Sequence, residues 1–290
     1  MALIETIWNG IKNFFGYGKK STGGLEPMLL GESLPIDLRP NCVARWKMDD
    51  ALATTQVLDS SGNGYHGTAQ ANTNTLDTTG KIGGALSFNG TSDYVDTNNT
   101  FQDVFKSDFS ISLWAKLNDG QPDYENIFFG ALDGGNGNGV EIWNYTSSGK
   151  GVLICSYQVT PGYGLGFGVN TAFSDGQQDW GHIVMSVWQD GENIRLRWFL
   201  NAVQLSNDSF NYTPDLMSNY SLELNQYIGG CNPQVTGQLN GALDDVMIFD
   251  KALSTDEIAF LYNGGTGTEE LYESTIVTNS IIKDSWDWSW

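Results

Sequence analysis

Between Cys42 and Gly264 the chain alternates apolar and polar positions in short runs. The clearest run is FSISLWAKL, residues 109–117, where Phe109, Ile111, Leu113, Ala115 and Leu117 are apolar and Ser110, Ser112 and Lys116 fall between them. A period of two places one set on a buried face and predicts a half-buried strand, with Trp114 the exception on the outer face. Similar runs follow at 126–132, 140–145, 151–159, 182–189, 193–201 and 221–229. They are separated by Asp133-Gly134-Gly135, Ser148-Gly149 and Asp190-Gly191, which supply the positive φ and short loops that hairpins need. Many short strands with turn chemistry between them predict an all-β sandwich or jelly roll, not alternating βα units.

The period changes at both ends. Ile4, Ile7, Trp8, Ile11, Phe14 and Phe15 recur at i, i+3, i+4 and i+7 and predict an amphipathic helix within residues 1–20. A helix of about 13 residues is marginal alone, so its stripe needs a cover: a partner subunit, its own domain, or a lipid surface helped by Lys12, Lys19 and Lys20. Residues 21–41, with Pro27, Pro35 and Pro40, read as an extended arm. After the last strand, Ser254 and Glu257 form a capping box before Ile258, Leu261 and Tyr262, and Gly264 stops that short helix. Residues 265–290 read as a linker and a tail whose Trp286, Trp288 and Trp290 share one side at strand spacing. We take Ile4, Ile7, Trp8, Ile11, Phe14, Phe15 and the three tail tryptophans as candidate assembly residues.

Composition narrows the partners. Thirty-four acidic and 14 basic residues give a formal charge of −20, which repels phosphate backbones and anionic membranes, so nucleic acid is excluded as a partner. Cys42, Cys155 and Cys231 are widely spaced and odd in number, without a disulfide or zinc pattern. The first twenty residues lack the features of a signal peptide, and no apolar run is long enough to span a bilayer.

The blocks VARWKMDD, LDSSGNGYHGTA, GALSFNGTSDYVD, FSISLWAKL, WGHIVMSVW and GQLNGALDDVMIFDKALSTDEIAFLY, in that order, resemble the laminin-G-like, concanavalin A-like jelly rolls over residues 42–264. The resemblance implies two curved antiparallel sheets and, in many members, a structural calcium ion. The loop LDSSGNG, residues 58–64, offers Asp59 and Asn63 as oxygen ligands beside glycines that turn carbonyls inward. The resemblance adds Asp244 of LDDV, with Asp245 a bystander. The alternative for the loop is an Asx turn with nothing bound. Asn201-Ala202 departs from the family's usual Asn-Gly turn, and alanine resists positive φ there.

Catalytic motifs are missing. There is no paired-carboxylate strand, since Glu141 and Glu223 stand singly, and no G-x-S-x-G, P-loop or H-E-x-x-H pattern; His66 and His182 fall in architectural blocks. Trp114, Trp143, Tyr145, Tyr157 and Tyr163 lie where a sheet face or rim could offer an aromatic platform to a sugar. These readings point to a non-enzymatic structural or recognition protein. The expectation adopted is a virion decoration, spike or fibre component, assembled as a homo-oligomer or with other subunits, sited on a virion or extracellular surface. A cell-surface carbohydrate-binding or adhesion module and a glycoside hydrolase are the alternatives.

Overall fold

The computed structural model describes residues 35–118, 124–131, 139–147, 150–160, 163–170, 179–205, 216–230 and 237–273. These lie in one unit, Pro35–Trp290. In chain order the strands are β1 (Cys42–Trp46), β2 (Gln56–Val57), β3 (Gly67–Ala69), β4 (Asp77–Thr79), β5 (Gly84–Asn89), β6 (Val95–Asp96), β7 (Phe109–Leu117) and β8 (Tyr124–Gly130). They continue as β9 (Gly139–Ser147), β10 (Lys150–Thr160), β11 (Tyr163–Asn170), β12 (Gly181–Asp190), β13 (Asn193–Leu200), β14 (Val203–Gln204), β15 (Tyr227–Ile228) and β16 (Asn240–Phe249). Two one-turn helices, α1 (Thr73–Leu76) and α2 (Gln102–Phe105), precede α3 (Thr255–Tyr262).

Two antiparallel sheets form the sandwich. One runs β14-β13-β12-β7-β16-β5-β4, with β1 also on β16; the other runs β11-β10-β9-β8-β15-β6-β3-β2. The expected alternation of β7 places Phe109, Ile111, Leu113, Ala115 and Leu117 in the core between the sheets, with Ile183, Met185, Val246, Ile248, Val140 and Ile142. The run 221–229 is mostly irregular, and only Tyr227–Ile228 pairs, bridging β6 and β8. That stretch contributes its backbone locally instead: Gln226 N donates to Asn99 O, and its carbonyl accepts from Thr97.

Strand β16 changes partners midway. Asn240–Leu243 pair with β5, whereas Val246–Phe249 pair with β1. The register with β7 shifts between Asp244 and Met247, and Asp245 takes a left-handed φ of 47°. A bulge is the geometric consequence of handing one strand edge from one neighbour to another.

The outer face of the first sheet is also buried. Val184, Phe199, Met247 and Phe249 form a second apolar cluster with Ile258 and Leu261 of α3 and with Leu38, Leu253 and Leu271. Helix α3 starts with the expected capping box and ends with Asn263 in the left-handed region. Residues 266–273, expected within a linker, continue as a strap on this face: Leu38 N donates to Leu271 O and Glu273 N to Ile36 O, closing a clasp at the Asp37–Tyr272 bridge. Trp114 is therefore on the outer face, as expected, yet only 1% exposed.

The Asn201-Ala202 turn carries φ values of 54° and 60°. The Ala202 methyl packs against the second cluster, which accounts for a side chain at a position that strains it. Left-handed backbone costs alanine about 1–2 kcal/mol, more than the roughly 0.8 kcal/mol of burying one methyl. Ala202→Gly should therefore raise Tm by about 1–3 °C in calorimetry; a lower Tm would show that the methyl contact outweighs the strain.

Candidate functional site

The 58–64 loop is built around Asp59. Oδ1 accepts from the backbone amides of Arg45 and Ser61, both at 2.9 Å, and Oδ2 accepts from Ser61 Oγ at 2.8 Å and Tyr65 N at 2.9 Å. Burial opposes the charge, but these donors hold the carboxyl below its usual pKa. Asp59 N donates to His66 Nδ1 at 3.0 Å. Asn63 turns its amide nitrogen, not its oxygen, to the carbonyls of Cys42 (3.2 Å) and Val43 (2.9 Å). The loop thus ties itself to β1.

Asp244 and Asp245 sit at the β16 bulge. Asp245, the expected bystander, makes a fork-shaped ion pair with Arg45: Nε–Oδ1 2.6 Å and Nη2–Oδ2 3.0 Å, both side chains buried. The same guanidinium donates to the carbonyls of Glu269 (2.8 Å) and Thr268 (3.1 Å), bolting the strap to the sheet. Through its amide on Asp59 and its side chain on Asp245, Arg45 joins the loop, the bulge and the strap. Arg45 is thus a structural tie that no motif marks, and its one sequence signal is a lone arginine in the apolar strand CVARW.

Asp244 is fully buried. Its Oδ2 accepts from Lys81 N at 2.6 Å and Ile82 N at 2.7 Å, whereas Oδ1 has no partner. Burial, reinforced by the charge of Asp245, pushes its pKa up to about 7. Among the described residues no group of three or more His, Cys, Asp or Glu side chains is gathered for a metal. Of the three expected calcium ligands, Asp59 and Asn63 share the loop while Asp244 bonds to the Lys81–Ile82 turn. Asp59 has its lone pairs occupied by protein donors, whereas Oδ1 of Asp244 is a buried oxygen without a partner.

The histidines and most placed aromatics serve the fold. His182 Nε2 lies 2.9 Å from Ser112 Oγ, the spacing of a nucleophile and its base, but both residues are fully buried. Trp114 lies tilted against the imidazole at a centroid distance of 4.9 Å, and Tyr262 stacks on it at 6.1 Å. Burial lowers the His182 pKa to about 3, so the ring is neutral and sealed. Tyr157 is buried with its hydroxyl donating to Phe105 O at 2.5 Å. Trp143 is half-buried on β9. Tyr145 and Tyr163 lie on β9 and β11, and their side chains are outside the described residues; the candidate assembly residues Ile4, Ile7, Trp8, Ile11, Phe14, Phe15, Trp286, Trp288 and Trp290 also lie outside the described residues.

An open cleft of about 480 Å³ is lined by Lys106, Ser107, Asp108, Gln189, Leu216, Met217, Ser218 and Asp250. The ends of α2, β12 and β16 and the turn at Met217–Asn219 bring these residues together. Gln189 organises one wall: its backbone N–H donates to Asp108 Oδ1 at 2.9 Å, and its side-chain Oε1 accepts from Met217 N at 2.9 Å. Four separate segments contribute, none with a motif, so no local pattern marks the cleft.

The family model of the concanavalin A-like lectin/glucanases superfamily matches residues 89–259. A search of curated proteins finds no match. Among solved structures, the binding domain of botulinum neurotoxin DC, in complex with rat synaptotagmin II, is similar with a TM-score of 0.55 at 15% identity, over 78% of this chain and 52% of that one. The Trypanosoma rangeli sialidase in complex with sialic acid is similar with a TM-score of 0.53 at 14% identity, over 92% of this chain and 40% of that one. The chain thus spans about half or less of these structures, and the likeness is one of fold. The matched segment takes in the core strands β7 to β16 and most of α3, and on that ground the chain belongs to the concanavalin A-like lectin/glucanase superfamily.

Proposed function

We propose that this chain is a non-catalytic structural and recognition protein, a virion (phage) decoration, spike or fibre component whose jelly roll binds surface glycans or partner subunits. The observation that carries the reading is the clasp. The first and last described segments pair side by side, Ile36–Leu38 with Leu271–Glu273, which closes the sandwich on itself as a self-contained recognition unit. Partner subunits or further copies of this chain are the favoured cover for the stripe, with lipid the lesser reading. Support for recognition over catalysis comes from the histidines and the Arg45, Asp59 and Asp245 groups, which are engaged in contacts that hold the fold together. An adhesion module is the second reading, favoured by the same fold; a glycoside hydrolase is the third. Incubation with polysaccharides separates them: glycan binding without new reducing ends is expected, and release of reducing ends would overturn the non-catalytic reading.

Calcium belongs to this proposal through Asp59, Asn63 and Asp244. The unclaimed Asp244 oxygen supports it, while the occupied lone pairs of Asp59 would have to be shared with any ion. Adding calcium to chelator-treated protein should raise Tm by several degrees if the ion binds the folded state. An unchanged Tm removes calcium and leaves an Asx turn.

A further inference from the structure

We propose that the cleft between Lys106–Asp108, Gln189, Leu216–Ser218 and Asp250 is a saccharide site, taking one or two sugar rings that carry no acidic group. It rests on the recognition reading above and gives that reading a place and a ligand class. The volume of about 480 Å³ falls in the range of small-ligand sites, about 300–1,000 Å³.

The lining supplies what a sugar needs. Asp108 uses Oδ1 on Gln189 N and Asp250 uses Oδ1 on Asn41 Nδ2, at 2.9 and 2.8 Å, so each is held in place with its other oxygen outside these bonds. A fixed carboxylate accepts hydroxyl protons and makes the stronger, charge-assisted bond. Ser107 and Ser218 add hydroxyls that donate or accept, and Lys106 adds a donor whose Nζ lies 3.3 Å from Gln102 Oε1. Leu216, 47% exposed, gives the apolar surface on which a pyranose C–H face can rest, and the neighbouring Met217 is anchored in the core. Polar groups and one exposed apolar side chain in the same cleft suit a ring that has hydroxyls at its edge and C–H groups on its face.

Charge sets the specificity. Two aspartates face one lysine in a chain of net charge −20, so the cleft disfavours sialylated or sulfated sugars and accepts neutral or amino-bearing ones.

The test uses the full chain with cellobiose, lactose, di-N-acetylchitobiose, the glucosamine dimer and sialyllactose, followed by calorimetry and saturation-transfer NMR. The expected result is binding of at least one neutral or amino-bearing sugar. That binding should weaken at least about tenfold in Asp108→Asn/Asp250→Asn. Asparagine keeps the oxygen that accepts from Gln189 and Asn41, and an unchanged Tm will show that the fold is retained. Hydrogen exchange on the unaltered chain supplies an independent readout, with ligand-dependent protection expected over residues 106–108 and 216–218. Binding that is unaffected by the double substitution, with no protection there, overturns the cleft while leaving glycan recognition standing. Binding of sialyllactose alone overturns the charge argument and with it the site. Binding of none of the five overturns both the site and saccharide recognition.

Discussion

Arg45→Ala should lower stability by about 3–5 kcal/mol, the cost of removing one partner from a buried ion pair. Asp245 would remain buried with its charge uncompensated, and the carbonyls of Thr268 and Glu269 would lose their donors. For a domain of this size the Tm should fall by about 10 °C. The fall has two separable parts. Replacing both charges, as Arg45→Met/Asp245→Leu, removes the orphaned carboxylate and should recover much of the loss, because a buried pair contributes little net stability over apolar packing. The strap would still lack its anchor in the double variant, so exchange of the 268–273 amides should stay fast. A Tm drop below about 2 °C for Arg45→Ala would contradict the assignment of Arg45 as the bolt between loop, bulge and strap.

Stability should fall as pH rises from 4 to 8, and Asp244→Asn should remove much of that fall. Asp244 has a folded pKa of about 7 against 3.8 in the unfolded chain. The folded state therefore binds the proton more tightly, and its contribution is fully present below pH 3.8. It is lost as pH rises through 7, at up to about 1.4 kcal/mol per pH unit between the two values. Asparagine keeps an oxygen for Lys81 N and Ile82 N and carries no charge to bury. At pH 5 the variant should be within about 1 kcal/mol of the parent, and at pH 8 it should be more stable by about 1–3 kcal/mol in urea titration. Equal destabilisation at both pH values would show that Asp244 is ionised and satisfied in the fold. A calcium ion on Oδ1 produces a distinct pattern, since Asp244→Asn would then also abolish the calcium-dependent rise in Tm.

The sandwich was legible because its strands are patterned locally. The β7 alternation, the Asp190-Gly191 hairpin and the Ser254–Glu257 capping box each depend on residues within one or two turns of chain. Trp114 shows the limit of that reading. Its position on the outer face follows from the period of two, but its burial depends on a strap more than 150 residues later, which no local pattern encodes. Residues 221–229 show the reverse error: SLELNQYIG alternates as a strand should, yet most of it finds no ladder partner. Asp245 and Arg45 lie 200 residues apart, so their pairing needed the topology of β1 on β16. The Asp59 turn was readable as one of two alternatives, because Asp-x-x-Gly chemistry serves an Asx turn and a cation loop alike. The cleft was invisible for the same reason as the Arg45 pair: its walls meet only after folding.

The most direct measurement is the solution mass, by light scattering, of the full chain beside a truncated protein of residues 35–273. An assembly protein with a self-contained sandwich predicts a defined oligomer for the full chain and a folded monomer for the truncated one. Two monomers would contradict assembly through the terminal segments and leave recognition as the function to pursue.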